Sequence, residues 1–340
     1  MDKLIQMLCN WVEDRRVPGA VVDIRMKGEQ IFQAAFGSAN LSTVYDVASL
    51  TKVVATLPSI LILAQSSKLS LSDPVQKFIP EFRHPKVTIE HCLRHVSGLP
   101  ASLPGYRERY TRRDVRQEIL SQELAFEPGE RMIYSDLGMI LIGWIVSRVS
   151  GLSLDVFIKD RIFKQLGMED SCFNPPPSWM NRIAPTEWDG KGYLLGEVHD
   201  ETCYRLGGVS GSAGLFSTAD DLSRYAQIWL YPESLSLLTR KSVDGCTQAS
   251  IEGRGLGWQI QDGKQADLAC GPLWPIGSFG HTGFTGTSLW IDPIRELSVV
   301  LLTNAVHYGR DSEIKQLRSI FHDAVMTSLI DKHCTTREEI

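Results

Sequence analysis

A run from about Ser49 to Ser67 constrains this chain more than any other stretch. Val53, Val54, Leu57, Ile60, Leu61, Ile62 and Leu63 crowd it with apolar side chains, so a helix built from it belongs in the interior, as the buried spine of the molecule. Pro58 falls inside it and predicts a kink. Its first turn nevertheless carries a hydroxyl and an amine. Residues three apart share a helix face, so Ser49 Oγ and Lys52 Nζ are placed to meet. A serine at a helix start also sits where free N–H groups and the positive dipole end favour a developing oxyanion. Ser-x-x-Lys alone is a weak signal, because a serine opening a helix is commonly only an N-cap.

Composition removes several alternatives. The 340 residues allow one large domain or two lobes with ample core. A net charge of −5 gives no reason to expect nucleic acid or an anionic membrane as partner. Seven cysteines, odd in number and without a C-x-x-C pair, indicate neither a zinc site nor a disulfide framework. Free thiols suit a reducing compartment. Met1 to Val17 reads as an amphipathic helix with internal acids, unlike an export signal. The apolar run Leu137–Val149 is too short to span a bilayer. A cytoplasmic protein without a membrane span is the expectation.

Along the chain, Gly19–Lys27 and Gln30–Gly37 flank Gly28-Glu29 and predict a β-hairpin. Thr88 caps a helix running to about His95, and Thr111–Asp114 forms a capping box for one reaching about Leu124. Helices over Leu137–Ser150 and Ser153–Leu166 are closed by Gly151 and Gly167. Asn174–Gly196 reads as a surface excursion. Thr218 caps a helix to about Tyr231. Strands are expected at Leu256–Gln261, Thr285–Ile291 and Leu297–Thr303, and a last helix over about Ile314–Leu329. Strands at both ends around a helical middle predict an α+β fold: a mostly antiparallel sheet flanked by helices with an inserted helical lobe. A single catalytic domain over 1–340 is expected, with an α/β lobe from about 1–67 and 207–335 and a helical lobe from about 68–206.

Two further segments match what a Ser49–Lys52 pair needs. Tyr134-Ser135-Asp136 precedes an apolar helix, so a phenol and an acid can project together into a cleft. Gly280-His281-Thr282-Gly283-Phe284 precedes a strand, with small residues that let backbone approach a ligand. In order these read S-x-x-K, Y-S-D and H-T-G. The chain here resembles the serine β-lactamase and penicillin-binding protein family, and within it the class C β-lactamase-like esterases and D-alanyl carboxypeptidases. His95–Pro100, Glu127–Gly129 and Gly214–Thr218 are similar too, so the resemblance covers about Val17 to Leu329.

The resemblance implies a cleft between lobes and a serine hydrolase working through an acyl-enzyme on an amide or ester. Ser49 would be the nucleophile, with Lys52 and Tyr134 handling its proton. The backbone N–H groups of Ser49 and Phe284 would form the oxyanion hole, and Asp136, His281, Thr282 and Gly283 would face the substrate. No metal or organic cofactor is implied. The partner expected is a small-molecule or short-peptide substrate. Two residues depart from the pattern: Asp136 stands where the family usually has Asn, and His281 where β-lactamases have Lys. Glu197-Val198-His199-Asp200 with Gly207–Ser217 is similar to a subgroup of muropeptide-recycling amidases, in which another residue usually stands at Ser212. A cell-wall-fragment substrate is therefore expected, against a small-ester hydrolase or a catalytically silent binding protein.

Overall fold

The computed structural model describes residues 1–248, 251–265 and 268–335. Strands β1 (Gly19–Met26) and β2 (Glu29–Gly37) form the expected hairpin. Its turn is Lys27-Gly28, one residue earlier than the sequence predicts, with Met26 paired to Glu29. Both turn residues have positive φ, 55° and 80°, which matches the twist of the flanking strands, and glycine takes the second at no steric cost.

The remaining strands are β3 (Tyr45–Asp46), β4 (Cys172–Phe173), β5 (Leu215–Ser217), β6 (Gln259–Ile260), β7 (Phe279–Thr282), β8 (Ser288–Asp292) and β9 (Leu297–Thr303). The main sheet is antiparallel with order β2-β1-β9-β8-β7-β6, and a small sheet runs β3-β5-β4. Both ends of the chain thus share one sheet around a helical middle, the α+β arrangement expected. Alternation along the strands buries both faces. Val21, Val300 and Leu302 pack with the spine helix, while Val22, Ile24, Val299 and Leu301 pack with Leu8, Trp11, Phe321 and Val325 of the terminal helices.

Several boundaries differ from expectation. The Thr88-capped helix is Ile89–Leu93, and Asp114, not Thr111, caps a helix that ends at Leu120. Strand β6 is only two residues long, and β8 begins at Ser288, not Thr285. The largest change concerns His281 and Thr282, which lie within a strand of their own, β7. Gly280 disguises it: a Cβ there would fall 2.3 Å from the Trp290 ring, so glycine is required by packing and not by a turn.

The spine helix is continuous from Leu50 to Gln65, with a π-type turn over Lys52–Thr56. Leu57 N–H reaches back to Lys52 O. Pro58, which has no N–H to give, follows at once, so the wider turn absorbs the missing bond. Among the described residues no single helix is long and apolar enough to cross a membrane. Asp136–Ser150 and Leu154–Leu166 qualify only jointly, bent by 72°, and their apolar residues lie in the main core.

Candidate active site

Ser49 is held at a strained corner. Ala48 has φ +48°, a left-handed conformation that costs a residue with a Cβ free energy and persists where neighbours fix it. Here Asp46 does so: its Oδ1 accepts Ala48 N–H at 2.9 Å and its Oδ2 accepts His199 N–H at 2.6 Å. Thr51 Oγ1 donates to Ala48 O at 2.6 Å and accepts from Leu215 N–H. The sheet β3-β5-β4, the turn and the spine helix are thereby locked together, and the helix dipole points at Ser49.

Lys52, fully buried, sits one turn on. Its Nζ donates to Ser49 Oγ at 2.7 Å and to Ser212 O at 2.8 Å, and pairs with Asp136 Oδ1 at 2.8 Å. Thr56 Oγ1 donates to Gly211 O, and a Cβ on Gly211 would fall 2.0 Å from Met139 O. The glycines therefore let the 208–214 loop pack close enough to deliver the Ser212 carbonyl. Burial alone would lower the Lys52 pKa, but Asp136 and Tyr134 together outweigh it and raise the pKa above the ordinary lysine value. Lys52 is an ammonium. It therefore donates to Ser49 Oγ and has no lone pair with which to accept a proton.

Asp136 does not cap its helix. Ser135 is the N-cap, its Oγ accepting Gly138 N–H, and Asp136 is free to turn towards Lys52. Tyr134 is aligned by ring contacts: Lys52 Nζ lies 5.1 Å and the Arg254 guanidinium carbon 5.3 Å from its centroid. The His95 ring packs at 4.5 Å and that of His281 at 5.9 Å. Both histidines are buried, and desolvation first, then Arg254 and Lys52, pushes each pKa well below the usual value. They are neutral at physiological pH. Ser135 N–H donates to His95 Nδ1, and His281 Nδ1 lies 2.8 Å from Thr282 O, which assigns the proton to Nε2 in the first and Nδ1 in the second.

The wall opposite is the turn from β7 into β8. Thr285 Oγ1 donates to Asp46 O at 2.7 Å and Thr287 Oγ1 to Val47 O at 3.1 Å. Gly283 lies against the same segment, where a Cβ would fall 2.3 Å from Val47 O. Phe284 is thus tied to the residues that precede Ser49. Among the described residues no hydrogen bond engages the N–H of either Ser49 or Phe284. Strand β6 pairs with β7 only at Phe279 and Gly280, so the edge of β7 from His281 onward is not paired with β6. The stretch Thr285–Thr287, expected to offer extended backbone, is a turn whose threonines are already bonded.

Ser49, Lys52, Tyr134, Asp136 and His281 therefore converge, with Thr282, Gly283 and Phe284 on one wall. Asp46, Arg254 and Arg318 were not singled out by sequence, because each comes from a segment without a recognisable spacing. The Glu197–Asp200 segment packs against the Phe284 wall. His199 stacks on Phe284 at 5.6 Å between centroids and bonds Glu187 at 3.0 Å. Asp200 caps the helix Glu201–Arg205, and its pKa is raised to about 6, first by burial and then by the Asp136 charge. Beside Phe284 a cavity of about 690 Å³ is lined by Arg109, Tyr110, Glu187, Trp188, His199 and Arg310, among others. The six described cysteines are free. The side chain of Cys334 lies outside the described residues. No group of three His, Cys, Asp or Glu side chains among the described residues could hold a metal ion.

The sequence profile of the Beta-lactamase family matches residues 4–320. A protein of Salmonella agona (strain SL483) named "Putative D-alanyl-D-alanine carboxypeptidase" is 32% identical over 315 residues, covering 79% of this chain and 71% of that protein. Among solved structures, the octameric penicillin-binding protein homologue from Pyrococcus abyssi has a TM-score of 0.75 at 23% identity, over 96% of this chain and 77% of its own. EstCE1, a hydrolase with promiscuous acyltransferase activity, has 0.75 at 23%, over 94% and 98%. A mutant class C beta-lactamase has 0.76 at 19%, over 96% of each chain. At these identities the solved structures show a shared fold.

Proposed function

The chain belongs to the Beta-lactamase family and is a serine hydrolase of it, and we propose that Ser49 is its nucleophile, acting on a small peptide-like amide derived from the cell wall. The observation that carries the role of Ser49 is its 2.7 Å bond from a buried, charged Lys52. That bond fixes Oγ and stabilises negative charge on it, but an ammonium has no lone pair to accept the serine proton. Tyr134 takes it, and Lys52 and Arg254 facing the ring stabilise the charge that develops on the phenol oxygen. The N–H groups of Ser49 and Phe284 receive the oxyanion. Attack forms the Ser49 ester and expels the leaving amine, protonated by Tyr134. Water then attacks the ester and restores the serine.

The substrate reading is supported by the name of the Salmonella relative and by the open edge of β7, which suits a peptide backbone. One observation favours small esters as a second reading. His281 is neutral and Asp136 adds a negative charge, so the cleft grips a terminal carboxylate less firmly than a lysine would. The free thiols of the described cysteines support a reducing compartment. Comparing kcat/KM for a D-alanyl-D-alanine peptide, its C-terminal amide, a muropeptide and p-nitrophenyl acetate, with Ser49→Ala as control, separates the readings. The amide reading expects turnover of at least one peptide and none in Ser49→Ala. Turnover of the ester alone gives the second reading.

A further inference from the structure

Arg318, on the helix Ile314–Thr335, is 4% exposed and lies behind the β7–β8 turn. No carboxylate among the described residues is within ion-pair distance of it. Among the described residues its one hydrogen bond runs from a terminal guanidinium nitrogen to Gly283 O, and its Nε has no partner. A buried cation without a counter-ion is a costly element for a fold to keep. Burial pushes its pKa down to about 9, which leaves it charged at neutral pH. Its field reaches the cleft, since it depresses the pKa of His281 as well as that of His322.

The bonded atom gives the burial a purpose. Gly283 O belongs to the same peptide group as Phe284 N–H, and among the described residues no peptide bond is cis. In a trans peptide the C=O and N–H point in opposite directions. A donor that holds Gly283 O from behind therefore aims Phe284 N–H forward. It also polarises the peptide, making that N–H a stronger donor. Gly286 N–H, at 3.2 Å, is the other donor to this carbonyl, and it is neutral. We propose that Arg318 is a positioning residue for the oxyanion site, fixing and polarising the Gly283–Phe284 peptide from the side away from the substrate. This rests on the reading of Ser49 as nucleophile and adds a charge that acts through the peptide without touching substrate.

The charge matters most when the oxyanion exists, so its loss lowers kcat and spares KM. The test compares wild type with Arg318→Met, Arg318→Gln and Arg318→Lys. Readouts are kcat and KM for p-nitrophenyl acetate, the inhibition constant of phenylboronic acid, which becomes a tetrahedral anion on a serine, and the melting temperature. Arg318→Met is expected to lose roughly tenfold or more in kcat with KM nearly unchanged. Boronate affinity should fall by the same factor as kcat/KM. Arg318→Gln keeps a donor without the charge and should recover less than Arg318→Lys. If Arg318→Met does not fold, the ordering of the Lys and Gln variants decides. Equal activity in the Lys and Gln variants, or boronate affinity unchanged in any folded neutral variant, overturns the proposal. Failure of a serine-reactive phosphonate to label Ser49 in wild type instead sinks the nucleophile assignment, whatever Arg318 does.

Discussion

Replacing Asp136 with Asn probes the ion pair that sets the protonation of Lys52. The pair is 2.8 Å apart, with Lys52 fully buried and Asp136 at 29% side-chain exposure. At an effective dielectric of about 20 its gross attraction is roughly 6 kcal/mol before desolvation is subtracted. Removing one partner of a buried pair costs about 3–5 kcal/mol. Asn keeps an acceptor for Nζ, so the lower end, about 3 kcal/mol, applies. That lowers the melting temperature of a 340-residue chain by roughly 4 °C, and it leaves burial, the largest influence on the Lys52 pKa, without the carboxylate that offsets it. The sign of the pH dependence distinguishes the two proteins. In wild type the folded-state pKa lies above the unfolded value of 10.5, so the stabilisation is complete below that value and is lost only as pH rises through the folded one. In Asp136→Asn burial dominates and the folded pKa falls below the unfolded value. The variant then carries a penalty at neutral pH that is relieved as pH rises. Calorimetry between pH 6 and 10 should therefore show a gap in melting temperature that narrows towards pH 10. The pH–rate profile for an activated ester should gain a base with a lower pKa, and penicillin acylation should speed up. Parallel melting curves with an unshifted profile would show that Asp136 does not set the charge of Lys52.

Gly283→Ala would put a Cβ 2.1 Å from Thr287 Oγ1 and 2.3 Å from Val47 O; we expect a loss of roughly 100-fold or more in kcat, measured on p-nitrophenyl acetate, because the Phe284 donor moves. His95, His281 and His322 are buried with lowered pKa values, that of His322 at about 3. The unfolded chain therefore binds more protons below about pH 6.5, and stability falls as pH falls, by up to about 1.4 kcal/mol per pH unit for each histidine. Urea melts from pH 7 to 5 should show this slope, and His322→Gln should reduce it. Asp46→Ala removes the acceptors for Ala48 and His199 N–H; it should cost about 1–3 kcal/mol in stability and lower turnover further than a surface control of equal instability.

The spine helix, the hairpin, the Gly151 and Gly167 stops and the antiparallel sheet could be read from the sequence because local rules set them. The helix at Leu50–Leu63 is apolar all round, and Thr88 and Thr218 cap where their hydroxyls reach a backbone N–H. Strand β7 was not separable, since Gly280 and Gly283 resemble turn residues until Trp290 and Val47 O are seen against them. The three motifs named Ser49, Lys52 and Tyr134, because their spacings are fixed by single turns of chain. The partners that set their chemistry lie far off in sequence. Ser212 O is 160 residues from Lys52, and Gly283 O is 35 from Arg318. Which way Asp136 would turn depended on whether Ser135 took over the cap, and that is a matter of side-chain geometry.

The most direct test of the account is to trap the acyl-enzyme. Wild type mixed with p-nitrophenyl acetate, quenched in acid within milliseconds and digested, should yield one acetylated peptide, with the acetyl group on Ser49. The adduct should appear before steady-state turnover, consistent with a covalent intermediate. It should be absent from Ser49→Ala. Turnover without an adduct in wild type, or acetylation at another residue that persists kinetically competent in Ser49→Ala, would contradict the central claim.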